Sequence, residues 1–130
     1  MADRMTAKKD GELIGLKIAA STLIETGKLV ALNSAGFAVH ASDAAGLKVA
    51  GVAEETIDNS LGANGDKTVL VRRKKAFLLL NSGTNAVAQA HVFTNVYVKD
   101  AYTVSSSGGT NSIVAGKCLG LETDGVWVEI

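Results

Sequence analysis

Few residues in this chain are placed to do chemistry. The two histidines, His40 and His91, each sit at the edge of a β-type run. Neither has the HxxxH, HxH or His-carboxylate spacing that holds zinc. The single cysteine, Cys118, lies in the apolar stretch GKCLG and reads as a small buried hydrophobe rather than a nucleophile. One cysteine also rules out an internal disulfide or a cysteine metal cage. Glu54-Glu55 offers carboxylates for acid–base work, but adjacent residues on a strand point to opposite faces, and no second pair matches them. GANGDKT (62–68) and SSGGTNS (106–112) have the glycine content of a phosphate loop. Such a loop needs Lys-Ser/Thr directly after its second glycine and a helix to follow. Here GDKT runs into the strand-like KTVLV, which offers no helix N-terminus to a phosphate, so both stretches read as turns. No catalytic, metal or cofactor-binding residue is expected, and the chain reads as a non-enzyme.

What remains is charge. In VRRKKAFLLL (71–80), Arg72, Arg73, Lys74 and Lys75 stand in a row before an aliphatic run. Overall the chain is balanced, with 13 basic and 13 acidic residues, and lacks the excess that phosphate binding calls for. Nor are the basic residues interleaved with aromatics as in single-strand binders. The balance is uneven along the chain. Residues 43–66 hold Asp43, Glu54, Glu55, Asp58 and Asp66 against Lys48 alone; residues 118–130 hold Glu122, Asp124 and Glu129 and no basic residue. Basic charge gathers at 72–75, with a smaller share in Arg4, Lys8 and Lys9. Segregated signs favour a copy of the same chain or a similarly patterned partner. These seven residues are the candidate partner contacts. For 72–75 the readings are a solvated turn, a contact with an acidic protein surface, nucleic-acid binding or a targeting signal.

The elements that carry these residues are short. LKIAA (16–20), KLVAL (28–32), LKVAGVA (47–53), KTVLV (67–71), AFLLL (76–80), HVFTNVYV (91–98), SIVAGKCLGL (112–121) and GVWVEI (125–130) all have strand length, with turn signals rich in Gly, Asn and Asp between them. This predicts an all-β fold, a small barrel or sandwich, with one short helix at most. TNAVAQAH (84–91) and ASDAAGL (41–47) are the candidates for a helical turn. Asp124-Gly125 between apolar alternations predicts a hairpin, and Val126, Val128 and Ile130 then face one way, Trp127 and Glu129 the other. A strand running straight through 72–75 would keep neither face apolar. The chain is therefore expected to turn there, with KTVLV and AFLLL as the arms of a hairpin. Proline is absent, so strand edges must be covered by closure, charge or another subunit. Residues 1–15 are expected to form a flexible or extended arm, and 16–130 a single barrel-like domain. MADRMTAKKDGELIG lacks the apolar core of a secretory signal, and no apolar run approaches the ~20 residues that span a bilayer; a soluble protein made in a cytoplasm is expected.

From Leu16 to Ile130 the sequence resembles the capsid decoration, or cement, proteins of tailed phages. The likeness rests on an ordered set: GKLVALNSAG (27–36), VAGVAEETIDNSLGANGDKTVLVRR (49–73), FLLLNS (77–82), VYVKDAYTVS (96–105) and AGKCLGLETDGVWVEI (115–130). The chain departs from that pattern at Lys74-Lys75-Ala76, where such proteins commonly carry Gly after the basic pair. The resemblance implies a β-barrel-like homotrimer on the outer surface of the virion head, made in the bacterial host cytoplasm. It would clamp neighbouring major capsid subunits after the shell expands, with no membrane or nucleic-acid partner. A β-barrel nucleic-acid-binding module using 72–75, and a tail or head-fibre structural protein, are the alternatives.

Overall fold

The computed structural model describes residues 3–130. Twelve strands follow in order: β1 (Leu13–Lys17), β2 (Thr22–Ile24), β3 (Leu29–Leu32), β4 (Ala38–His40), β5 (Lys48–Ala53), β6 (Ile57–Asn59), β7 (Thr68–Arg72), β8 (Ala76–Asn81), β9 (Asn95–Asp100), β10 (Thr103–Ser105), β11 (Val114–Glu122) and β12 (Gly125–Glu129). The all-β expectation holds. Of the two candidate helical stretches, 84–91 keeps only a 3₁₀ turn at its end, Gln89–His91, and 41–47 is a turn.

The strands form two bodies. An antiparallel five-stranded sheet has the order β1-β7-β5-β3-β4 and curls until Ile18, just past β1, bridges Ala38 of β4. A second set, β10-β8-β12-β11-β9, closes completely, with β10 parallel to β8 at the seam. A two-stranded ladder of β2 and β6 flanks the curled sheet.

β3 explains how two such bodies share 130 residues. Leu29, Val30 and Ala31 are all fully buried. Side chains alternate along a strand, so they serve opposite sides. Leu29 and Ala31 join the barrel core of Val96, Val98, Val104, Cys118, Val126 and Val128. Val30 joins Ile18, Ile24, Val69 and Val71 inside the curled sheet. The near-unbroken apolar run KLVAL is what a wall buried on both faces requires. Close approach fixes one glycine here: a Cβ on Gly51 of β5 would lie 2.2 Å from the Arg72 carbonyl oxygen of β7.

Two expectations are corrected. β7 and β8 are not the arms of a hairpin. β7 lies between β1 and β5 in the curled sheet, whereas β8 lies between β12 and β10 in the barrel. The inward residues of the two strands belong to different cores, Val69 and Val71 to one and Leu79 to the other. Hydrogen bonds that a hairpin would close locally are taken by distant chain. The Arg73 N–H donates to the Glu12 carbonyl (2.8 Å) and the Lys74 N–H to the Ile130 carbonyl (2.7 Å). Second, the arm is shorter than 1–15 on its C-terminal side. β1 begins at Leu13, with Ile14 and Leu16 packed on the curled-sheet core, and pairs antiparallel with β7. Residues 3–10 lack regular structure and are exposed; Met1 and Ala2 lie outside the described residues. Residues 16–130 hold two adjoining apolar cores with β3 as their common wall.

The Asp-Gly hairpin is present. Glu122 pairs with Gly125, which puts Thr123 and Asp124 in the turn, one residue earlier than the Asp-Gly cue implies. Gly125 is needed for another reason as well. A Cβ there would meet the Leu79 carbonyl oxygen at 2.2 Å. The predicted faces of β12 are also present, with Val126 and Val128 buried, Trp127 half-buried and Glu129 exposed.

Candidate functional site

Two surface regions could serve a partner. The first is the basic crossover. Lys74 adopts a left-handed backbone (φ 59°), which swings the chain from β7 to β8. Arg72 Nε lies 2.9 Å from Glu54 Oε1, and Lys75 Nζ 3.2 Å from Glu12 Oε1. Arg73 donates weakly to the Gly11 carbonyl at 3.4 Å. Lys74 makes no side-chain hydrogen bond or ion pair among the described residues. The structure therefore brings Arg72, Arg73 and Lys75 together with carboxylates and with the root of the N-terminal segment. Arg4, Lys8 and Lys9 lie upstream on the exposed segment, away from this junction's bonds. The neighbouring acids have structural tasks too. Glu54 pairs with Arg72, and Glu55 accepts the Leu70 N–H at 3.2 Å, so both hold β7.

The second region was not foreseen from sequence. On the outer face of the barrel, Leu78 of β8 stands directly opposite Trp127 of β12, which in turn faces Gly120 of β11. Leu80, two residues along the same face, donates its N–H to the Tyr102 carbonyl. Leu78, Leu80 and Tyr102 are 40%, 51% and 47% exposed, so this stripe is apolar surface left open to water. Nothing lies within 4 Å of where a Gly120 Cβ would be, which leaves room beside the indole. Lys28 Nζ sits 5.6 Å from the Tyr102 ring centroid and 2.8 Å from Glu25 Oε1, putting a charged pair at the rim. Exposed apolar side chains gathered beside a charged pair are a common character of a protein contact.

The remaining candidates are absorbed into the fold. Cys118 is fully buried. The loop 62–68 is tied down by its own side chains: Asn64 accepts the Ala20 N–H (2.7 Å) and Asp66 accepts the Ala63 N–H (2.8 Å). It leads into β7, as expected of a turn. Asp43 joins the two bodies. Its carboxylate accepts the Thr110 and Asn111 N–H groups, both at 2.9 Å, and these donors hold its pKa below the usual value. Both histidines act as acceptors. His40 Nε2 takes the Glu25 N–H (3.0 Å) and His91 Nδ1 the Ala88 N–H (2.8 Å). Among the described residues no three His, Cys, Asp or Glu side chains are grouped to hold a metal ion, and no helix is long and apolar enough to cross a membrane.

No protein-family model matches the chain, and neither a curated protein nor a solved structure matches it.

Proposed function

We propose that this chain is a structural virion protein that binds the outside of an expanded tailed-phage capsid as a homotrimer and stabilises contacts between major capsid subunits. The observation that carries this reading is the open apolar stripe of Leu78, Leu80, Trp127 and Tyr102 on a barrel whose interior is already filled. A full core with apolar side chains left over outside suits a protein that works by its surface. The ordered motifs of the resemblance support it. Gly-Val-Ala falls in β5, Asp-Asn-Ser at the end of β6, Val-x-Val-Arg-Arg in β7 and its exit, Tyr-Val-x-Asp in β9, and Asp-Gly-Val-Trp-Val in the β11–β12 hairpin.

In this reading the stripe is the contact between copies, and the exposed segment 3–10 orders on the capsid lattice. A partner that binds only the expanded lattice stabilises it by mass action. With Arg72 and Lys75 already paired to carboxylates, the crossover offers less charge to an acidic partner, or to nucleic acid, than its sequence implies.

Co-sedimentation with emptied shells tests the proposal. Binding to expanded shells, with unexpanded shells ignored, is the expected result. A chain that ignores both shells yet shifts DNA at low salt, weakening steeply as salt rises, contradicts it and supports the basic-cluster module instead. Replacing 72–75 with four serines separates the surfaces. Unchanged occupancy is expected, and a collapse of occupancy assigns the capsid contact to the crossover.

A further inference from the structure

His40 closes a chain of contacts that ends on the apolar stripe. It lies at the end of β4, paired across the ladder with the apolar Val30 of β3. Its Nε2 accepts the backbone N–H of Glu25, just past β2, at 3.0 Å. The Glu25 carboxylate holds Lys28 at 2.8 Å, and Lys28 reaches over the Tyr102 ring. The turn that carries Tyr102 is fixed to the same place: the Leu29 N–H donates to the Ala101 carbonyl at 2.7 Å, and the Tyr102 N–H to Asp100 Oδ1 at 3.0 Å. The charged groups that act on His40 are Glu25 from the β2 side and Lys28 from just before β3; Asp100 and Tyr102, from the β9–β10 turn, act on Lys28 in turn.

We propose that His40 is an acid-sensitive staple that controls how Tyr102 is presented on the outer stripe of the barrel. A ring nitrogen that accepts an N–H must have a free lone pair, so the Glu25 bond exists only with Nε2 unprotonated. A proton on Nε2 turns that acceptor into a second donor facing the Glu25 N–H, and the bond is lost. The new imidazolium repels Lys28 and attracts the Glu25 carboxylate. Lys28 loses its partner and leaves the Tyr102 ring. Burial, then the Lys28 charge, lowers the His40 pKa, with Glu25 opposing. The fold therefore favours the neutral ring. The stability this contributes is complete above the ordinary imidazole value and is lost as pH falls through the lowered one.

NMR titration of the wild-type chain from pH 8 to 5 tests the staple. The Glu25 amide proton is expected to move upfield, and the Tyr102 ring resonances to shift, with the midpoint of the His40 ring and not that of His91. In His40→Gln the side-chain carbonyl accepts the N–H at every pH, so the Tyr102 transition should disappear. A Tyr102 ring that stays still while His40 titrates overturns the proposal, as does a transition that persists in His40→Gln. If that variant does not fold, the wild-type midpoints decide alone: agreement of Glu25 and Tyr102 with His40 supports the staple, and agreement with His91 overturns it.

Discussion

The curled sheet and the closed barrel meet at β3, and the crossover between them is finished differently from the outer stripe of the barrel. Where the curled sheet hands the chain to the barrel, cations stand among carboxylates: Arg72 with Glu54, Lys75 with Glu12. The barrel leaves Leu78, Leu80 and part of Trp127 uncovered beside Tyr102. The difference shows why a run of charge is a poor guide to a binding surface. At the crossover, Arg72 and Lys75 are met by carboxylates, and the backbone donors of Arg73 and Lys74 are spent on the chain's own carbonyls. At the stripe, Leu78, Leu80 and Tyr102 stay 40%, 51% and 47% exposed among the described residues, so covering them still yields free energy, on the order of 25 cal/mol per Å².

The comparison can be broken first at the shared wall. Leu29→Ala opens a cavity in the barrel core and loosens the packing of β3, for a loss of about 2–5 kcal/mol in chemical denaturation. Both bodies should then unfold together. Separate transitions would mean that β3 does not couple them.

Gly51→Ala strains only the curled sheet at first, because its Cβ meets backbone of β7. A loss of about 1–3 kcal/mol is expected, with hydrogen exchange rising in β5 and β7 before the barrel. Equal exchange in β8 and β12 would argue against two separable bodies.

Asp43→Asn acts on the tie between them. The folded pKa of Asp43 is depressed, so its contribution is complete above the ordinary value of 3.8 and fades as pH falls through the lowered value. Thermal melts should show the variant less stable at pH 6, with the gap narrowing below pH 4. A gap that is constant with pH would remove the carboxylate from the account.

The smallest effect belongs to the crossover pairs. Arg72→Ser and Lys75→Ser should each cost within about 1 kcal/mol, as exposed ion pairs do, and the cost should shrink in high salt. Larger, salt-insensitive losses would make the crossover a structural anchor.

Much of this architecture is legible in the sequence. All eight strand-length runs contribute to strands, and the β11–β12 hairpin follows from Asp124-Gly125 to within one residue. β2, β4, β6 and β10 were missed because each spans three residues, too few for alternation to register. The crossover was misread as a hairpin tip for a physical reason. Its partners are far off along the chain, Glu54 by 18 residues and Glu12 by 63, and no local pattern reports them. The stripe was hidden differently. AFLLL is apolar on both faces, which ordinarily marks a strand buried on both sides, as KLVAL is in β3. Only the topology reveals that one face of β8 looks outward.

The most direct test of the account is the solution mass of the wild-type chain and of Leu78→Ser/Leu80→Ser by light scattering, with circular dichroism to confirm that both are folded. The account predicts a wild-type trimer and a folded monomer for the double variant. A wild-type monomer, or a double variant that remains a trimer, would contradict the assignment of the stripe as the contact between copies.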